Sequence, residues 1–297
     1  MEQKLTELKN GILTVQVAAR GAELQSIRDA AGREYLWQGD PVYWADRALN
    51  IFPYVARLTE GKYTYRGKTY SMDIHGFVPW TRLQAEEVGE KRAVFGLRPD
   101  ETIRKQYPFE FHYRVCYELD GSDLRITYRV DNEGKDTMYF GLGGHPGFRV
   151  PMEEGRDYEG YYLQFEKGAE PVRIGFTEDC FLSGEDTLFA LEPDERLRLR
   201  HELFDDDAVV LSDAGNSVSL QAEKGGARIR VIFPEMRYLG IWSAPKTDAP
   251  YVCLEPWTSL PSRQGIVEDL EKQPDLVTLG AGESYQNTWI IRIEENV

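Results

Sequence analysis

The sequence is short of cysteine, of histidine, of basic charge and of long apolar runs, and each shortage closes off a class of function. Its three cysteines, Cys116, Cys180 and Cys253, stand far apart with no CxxC pair. That spacing argues against a disulfide framework or a zinc knuckle and leaves reduced core thiols as the expectation. No apolar run reaches the ~18 residues of a membrane helix, and Met1-Glu2-Gln3-Lys4-Leu5-Thr6 lacks the apolar core of a signal peptide. A soluble cytoplasmic protein is the expectation. Only 35 Lys and Arg face 50 Asp and Glu, giving a formal net charge of −15. Such a balance repels phosphate backbones and anionic membranes, so neither nucleic acid nor a membrane is expected as a partner. There is no Walker, GxSxG or HExxH motif, and the four histidines, at 75, 112, 145 and 201, lack helical ligand spacing. Neither a metal nor a cofactor is implied.

What the chain does have is apolar and aromatic content, 41% and 12%, ample for a large core. No linker-like stretch divides the 297 residues, and one large all-β domain over 1–297 fits the length. Period-two alternation supports it. Leu13, Val15 and Val17 alternate with polar neighbours, and Asp29-Ala30-Ala31-Gly32 turns the chain toward Tyr35-Leu36-Trp37 in an opening hairpin. Residues 62–70 read as a short hairpin around Arg66-Gly67. Phe109, Phe111, Tyr113, Val115, Tyr117 and Leu119 alternate up to Asp120-Gly121, and Leu124, Ile126, Tyr128 and Val130 alternate away from it. Further strands are expected at 161–165, 208–211, 218–220, 229–233 and 251–254. Only 264–272 reads as weakly helical, and no βαβ alternation occurs. The pattern predicts an antiparallel sandwich of two or more large sheets.

Two residues stand out as candidates for chemistry. His145 sits among Gly141, Gly143, Gly144, Pro146 and Gly147, a setting that reads as an exposed imidazole presented at a strand end and able to act as acid or base near neutral pH. The competing reading is a core histidine bonded to backbone. Glu255 follows the apolar run 251–254 and precedes Pro256, so a carboxylate is expected at the end of a buried strand, where burial raises its pKa toward that of a general base. The competing reading is a strand-end Glu paired with an Arg. Taken alone, His75 beside Gly76 reads as a turn histidine and Arg57 as an ion-pair partner. His112 and His201 read as solvent-facing. Trp80, Trp242 and Trp257 read as core or rim aromatics, although such faces also suit the apolar face of a sugar.

Four ordered segments carry a resemblance. Asn50-Ile51-Phe52-Pro53-Tyr54-Val55-Ala56-Arg57-Leu58, His75-Gly76-Phe77, Gly143-Gly144-His145-Pro146-Gly147-Phe148 and Cys253-Leu254-Glu255-Pro256-Trp257 resemble the signature segments of the aldose 1-epimerase (galactose mutarotase-like) family, and most of all its LacX-type branch. The match spans about residues 10 to 295. The resemblance implies a single β-supersandwich domain, interconversion of the α and β anomers of a free hexose, and no cofactor. It implies Glu255 as the general base at the anomeric hydroxyl and His145 as the general acid at the ring oxygen. Arg57, His75 and Trp257 would bind the sugar. Leu203-Phe204-Asp205-Asp206-Asp207-Ala208 resembles a family segment that supplies a substrate-binding Asp, assigned here to Asp207. A hexose-6-phosphate 1-epimerase is a close alternative and would need a basic cluster. A sugar-binding or sensing protein of the same fold would not need both an acid and a base. A glycoside hydrolase or lyase would need a second carboxylate.

Overall fold

The alternation on either side of Asp120-Gly121 builds a hairpin of two ten-residue strands, Phe111–Asp120 and Asp123–Asn132, paired without interruption. Gly121, at φ +60°, supplies the left-handed residue of the turn. Tyr113, Val115, Tyr117, Leu124, Ile126 and Tyr128 point inward and are buried, while Glu118 and Arg129 lie between them on the outer face. In this computed structural model, which describes residues 5–295, the hairpin lies inside a nine-stranded antiparallel sheet, flanked by Arg92–Leu97 and Ser284–Glu294.

A second sheet of seven strands lies across the core. Ala48–Ile51 is its edge, followed inward by Gly143–Arg149, Tyr251–Trp257, Tyr238–Trp242 and Val209–Ser212. Its inner side chains, among them Leu239, Val252 and Leu254, share one apolar cluster with Tyr113 and Ile126 of the first sheet. Phe52 meets Tyr113 ring to ring at 4.7 Å, and the Tyr128 hydroxyl donates to Asn50 Oδ1 at 2.8 Å. Since strand side chains alternate, the same strands that close this core present every second residue to the far face. The functional candidates lie on that far face.

The expected antiparallel sandwich and the hairpin at Arg66-Gly67 are present, the latter with φ of +50° and +72°. Four local expectations are corrected. Leu13–Ala18 pairs with Leu24–Asp29 through a turn containing Gly21 and Ala22, both left-handed, which no Asn, Asp or Pro marks in the sequence. The turn at Gly32 exists, but Tyr35-Leu36-Trp37 carries only isolated bridges. The one α-helix among the described residues is Glu101–Gln106, capped by Asp100 accepting from the Ile103 amide at 2.8 Å. Residues 264–272 form turns and a two-residue strand, Glu268–Asp269, because Gly265 is left-handed and Arg263 folds back onto Glu268. His112 is buried instead of solvent-facing, since Glu86 and Arg98 from the neighbouring segments close over it at 2.7 and 2.9 Å. His201 is half-buried, stacked on Tyr158. Among the described residues no helix is long and apolar enough to cross a membrane.

Candidate active site

Strand register brings His145 and Glu255 together. Gly143 pairs with Trp257 and Gly147 with Cys253, so His145, midway along its strand, stands beside Glu255, midway between those partners. Both side chains point to the far face, and His145 Nε2 lies 3.2 Å from Glu255 Oε2. Two expectations change here. Neither residue is at a strand end: His145 lies within Gly143–Arg149 and Glu255 within Tyr251–Trp257. Nor is His145 exposed, for it retains 7% of its accessible surface and Glu255 retains 1%. The reason is that both occupy the floor of a pocket whose walls come from distant loops.

The glycines around His145 serve close approach instead of turns, since none has a positive φ. A Cβ on Gly144 would lie 2.4 Å from the Trp289 ring in the core, and one on Gly147 would lie 3.1 Å from Trp37 and Trp44. On the adjoining strand Gly240 pairs with Glu255, and a Cβ there would press on Glu255 and the Trp257 ring at 3.2 and 3.0 Å. Trp44 lies over the His145 ring at 4.8 Å, and Trp242 meets it edge-on at 5.6 Å.

One wall is the loop carrying Ala56 and Arg57, locked to the turn at His75-Gly76. The His75 amide donates to the Ala56 carbonyl at 3.0 Å, and the Ala56 amide donates to His75 Nδ1 at 3.3 Å. This pairing keeps the His75 proton on Nε2. Gly76 is required, because a Cβ there would fall 2.2 Å from the Phe52 carbonyl oxygen. The Arg57 guanidinium lines the pocket and forms no ion pair among the described residues. The other wall holds Asp207, at φ +77°, whose Oδ1 accepts from the Ala208 amide and whose Oδ2 accepts from the Cys180 thiol at 3.1 Å.

The cavity has a volume of about 330 Å³, at the small end of the roughly 300–1,000 Å³ typical of small-molecule sites. All six residues singled out from the sequence, Arg57, His75, His145, Asp207, Glu255 and Trp257, line it. Arg57 is therefore no ion-pair partner, and His75 is a turn residue and a wall residue at once. Trp80 and Trp242 line it as well. Sequence reasoning missed Trp44, Asp46, Phe176, Cys180 and Asp206. The aromatic loop ending at Trp44 was a visible signal, whereas Phe176 and Cys180 fall in a stretch without periodicity.

Burial sets the electrostatics. It holds the Glu255 carboxyl well above the usual carboxylate range, with the Asp207 charge pushing the same way. It holds His145 well below the usual imidazole value, and His75 adds to the effect. His75 is pushed down to about 4 by burial and then by Arg57, with Asp207 opposing. The Cys180 thiol is pushed up to about 11, first by burial and then by its bond to Asp207, so it stays protonated and is no nucleophile. Among the described residues, three buried polar atoms of the pocket lining lack a hydrogen-bond partner: His145 Nδ1, Glu255 Oε2 and Trp257 Nε1. An unmade bond at a buried polar atom costs roughly 1–3 kcal/mol, and three in one pocket mark groups held ready for a ligand. A carboxyl raised and an imidazole lowered by the same burial both favour their uncharged forms, so the pair rests neutral with its one proton on Glu255. Around them stand a free cation, an acid and aromatic faces.

Residues 4–292 match the family model described as aldose 1-epimerase. The chain is 36% identical over 278 residues to the chromosomal protein LacX of Lactococcus lactis subsp. lactis, covering 91% of this chain and 93% of that protein. Among solved structures, it is similar to a galactose mutarotase related enzyme from Lactobacillus acidophilus, with a TM-score of 0.93, 33% identity and coverage of 98% and 97% of the two chains. It is also similar to a galactose mutarotase-like protein from Lactobacillus casei, with a TM-score of 0.92, 28% identity and coverage of 98% and 100%. The chain belongs to the aldose 1-epimerase family.

Proposed function

We propose that the chain is a cytoplasmic mutarotase, working as one domain, that interconverts the α and β anomers of a free hexose. The observation that carries this reading is the buried contact between His145 and Glu255, at 3.2 Å on the floor of a sugar-sized pocket. In the first step the proton of the neutral pair passes from Glu255 to His145, the Glu255 carboxylate takes the proton of the anomeric hydroxyl and imidazolium His145 gives its proton to the ring oxygen. The C1–ring-oxygen bond breaks, its electron pair stays on oxygen, and the open-chain aldehyde forms. Rotation about C1–C2 turns the other carbonyl face to the hydroxyl. Reclosure returns one proton from Glu255 to O1 and one from the hydroxyl to His145. The net charge of the pair never changes, which suits a buried site where a lone charge is expensive. Positioned acid and base groups each contribute roughly 10²–10⁴-fold.

Arg57, His75 and Asp207 hold hydroxyls of the ring in this reading, and Trp257 supplies an apolar face. Arg57 is the one Lys or Arg lining the pocket, against Asp46, Asp206 and Asp207. That balance favours an uncharged hexose over a hexose 6-phosphate. Polarimetry or NMR of freshly dissolved α-glucose and α-galactose tests the proposal, with faster approach to anomeric equilibrium than in buffer as the expected result. No acceleration with any free or phosphorylated hexose overturns it, and saturable sugar binding without acceleration identifies a sugar-sensing protein instead.

A further inference from the structure

Cys253 takes no part in that reaction, yet it stands beside both groups that do. It lies two residues before Glu255 on one strand and pairs with Gly147, two residues beyond His145 on the next. The pleat therefore sends all three side chains to the same face of the sheet, where His145 and Glu255 line the pocket and Cys253 packs beside it with Trp37, Ala249 and Tyr251. A ring nitrogen of His145, the sulfur of Cys253 and a carboxylate oxygen of Glu255 lie within 4.8 Å of one another, and all three residues are buried. We propose that His145, Cys253 and Glu255 form a binding site for a thiophilic divalent cation of the zinc class, and that its occupation switches the catalytic pair off.

The donor set selects the ion. Sulfur, imidazole and carboxylate donors suit zinc or cadmium, whereas magnesium and calcium take oxygen ligands. Three protein ligands leave a fourth tetrahedral position open. Charge fits too: one thiolate and one carboxylate neutralise a divalent ion where an uncompensated charge is costly. His145 Nδ1 has no hydrogen-bond partner although the residue is more than nine-tenths buried, and an ion on the Glu255 carboxylate displaces its 3.2 Å contact with His145 Nε2. The Cys253 thiol, held protonated by burial, loses its proton to solvent as the metal–sulfur bond forms, together with the proton shared by His145 and Glu255. A metal on these atoms occupies the lone pair and the carboxylate that would move protons. This inhibitory consequence rests on the mutarotase reading, whereas the binding itself does not.

The test uses the full chain stripped with a chelator and titrated with cadmium chloride, reading the sulfur-to-cadmium charge-transfer absorption, with mutarotation followed in parallel. One cadmium ion per chain is expected, displaced by zinc chloride, with mutarotation falling as the site fills and recovering on chelation. Cys253→Ser should weaken binding by about 100-fold or more, since even outer partners of metal ligands are worth roughly 10–100-fold. It should also turn over at the wild-type rate without metal and resist inhibition. Cys180→Ser and Cys116→Ser should bind as the wild type does. If Cys253→Ser does not fold, His145→Asn, which keeps the thiol, must show the same loss of cadmium affinity. Unchanged affinity in the folded variant, loss in Cys180→Ser instead, or no saturable binding at millimolar cadmium overturns the proposal. Cadmium binding by a chain that accelerates no sugar upholds the site and removes the mutarotase reading.

Discussion

The hairpin spanning 111–132 and the strand pair Gly143–Arg149 with Tyr251–Trp257 are antiparallel ladders of the same sandwich, built on opposite rules. The hairpin pairs at every position from Asp120 to Phe111. It turns aromatic and branched residues inward, and it pairs its charges, Arg125 with Asp120 near the surface and the buried Asp123 with Arg292. The second pair carries Pro146 and Pro256, each removing a ladder donor, and buries His145 and Glu255 with unbonded polar atoms. It survives because its strands lie inside the seven-stranded sheet, with neighbours on both sides, and back onto the shared core. The hairpin supplies stability; the pair uses some of it to hold charge in a dry place.

Glu255→Gln should break the comparison most sharply. Hexose mutarotation should fall by roughly 10²–10⁴-fold, the worth of a positioned base, while the fold is kept. Stability should move the other way. A folded carboxyl pKa held above 4.5 means its contribution is full below the unfolded pKa and is lost as pH rises toward the folded pKa. The variant escapes that loss. Its melting temperature should match wild type near pH 4 and exceed it by a few degrees at pH 8, measured by calorimetry. Equal melting curves at pH 8 would show that Glu255 carries no burial penalty.

The same contrast explains what could be read in advance. The hairpin was legible because its signals are local: alternation on each side and Asp120-Gly121 between. His145 and Glu255 were legible as individuals, through the glycines and prolines beside them, but their surroundings were misjudged. Which strand lies beside which is settled by register between segments far apart in sequence, so an interior, buried position read as an exposed strand end. Arg57 read as an ion-pair partner because the lack of a partner is a three-dimensional fact. Among the three consecutive aspartates, Asp205 lies outside the pocket lining whereas Asp206 and Asp207 lie within it, a distinction that three identical neighbours cannot signal in the sequence. Trp44 and Cys180 arrive from loops without periodicity, where no pattern assigns a side chain to a face.

A smaller effect separates the two kinds of glycine. Gly121→Ala, in the open hairpin turn with nothing within 4 Å, should cost about 1–2 kcal/mol of left-handed strain and leave kcat unchanged. Gly144→Ala drives a methyl to within 2.4 Å of the Trp289 ring and should cost about 3 kcal/mol, at the upper end of ordinary overpacking. It should also lower kcat, because the displaced strand carries His145 next in sequence. Urea unfolding and initial rates measure both variants. Equal kcat in the two would mean that the floor of the site tolerates movement.

Arg57→Ala should have the smallest effect. The guanidinium has no ion pair to lose, so melting at pH 8 should be unchanged, while KM should rise by about tenfold, or about 1.4 kcal/mol of lost sugar binding, with kcat nearly preserved. Acid stability gives the finer reading. Burial first and Arg57 second hold His75 at about 4, below the ordinary 6.5. Its contribution is therefore full above pH 6.5 and is lost as pH falls through 4. Without Arg57 the folded pKa moves back toward 6.5, where Asp207 already pulls it, and less stability is lost on acidification. The variant should therefore melt at the wild-type temperature at pH 8 and above it at pH 4.5. A lower melting temperature at pH 4.5 would mean that Arg57 braces the loop at Ala56, and that this wall of the pocket follows the hairpin's rule of paired charge.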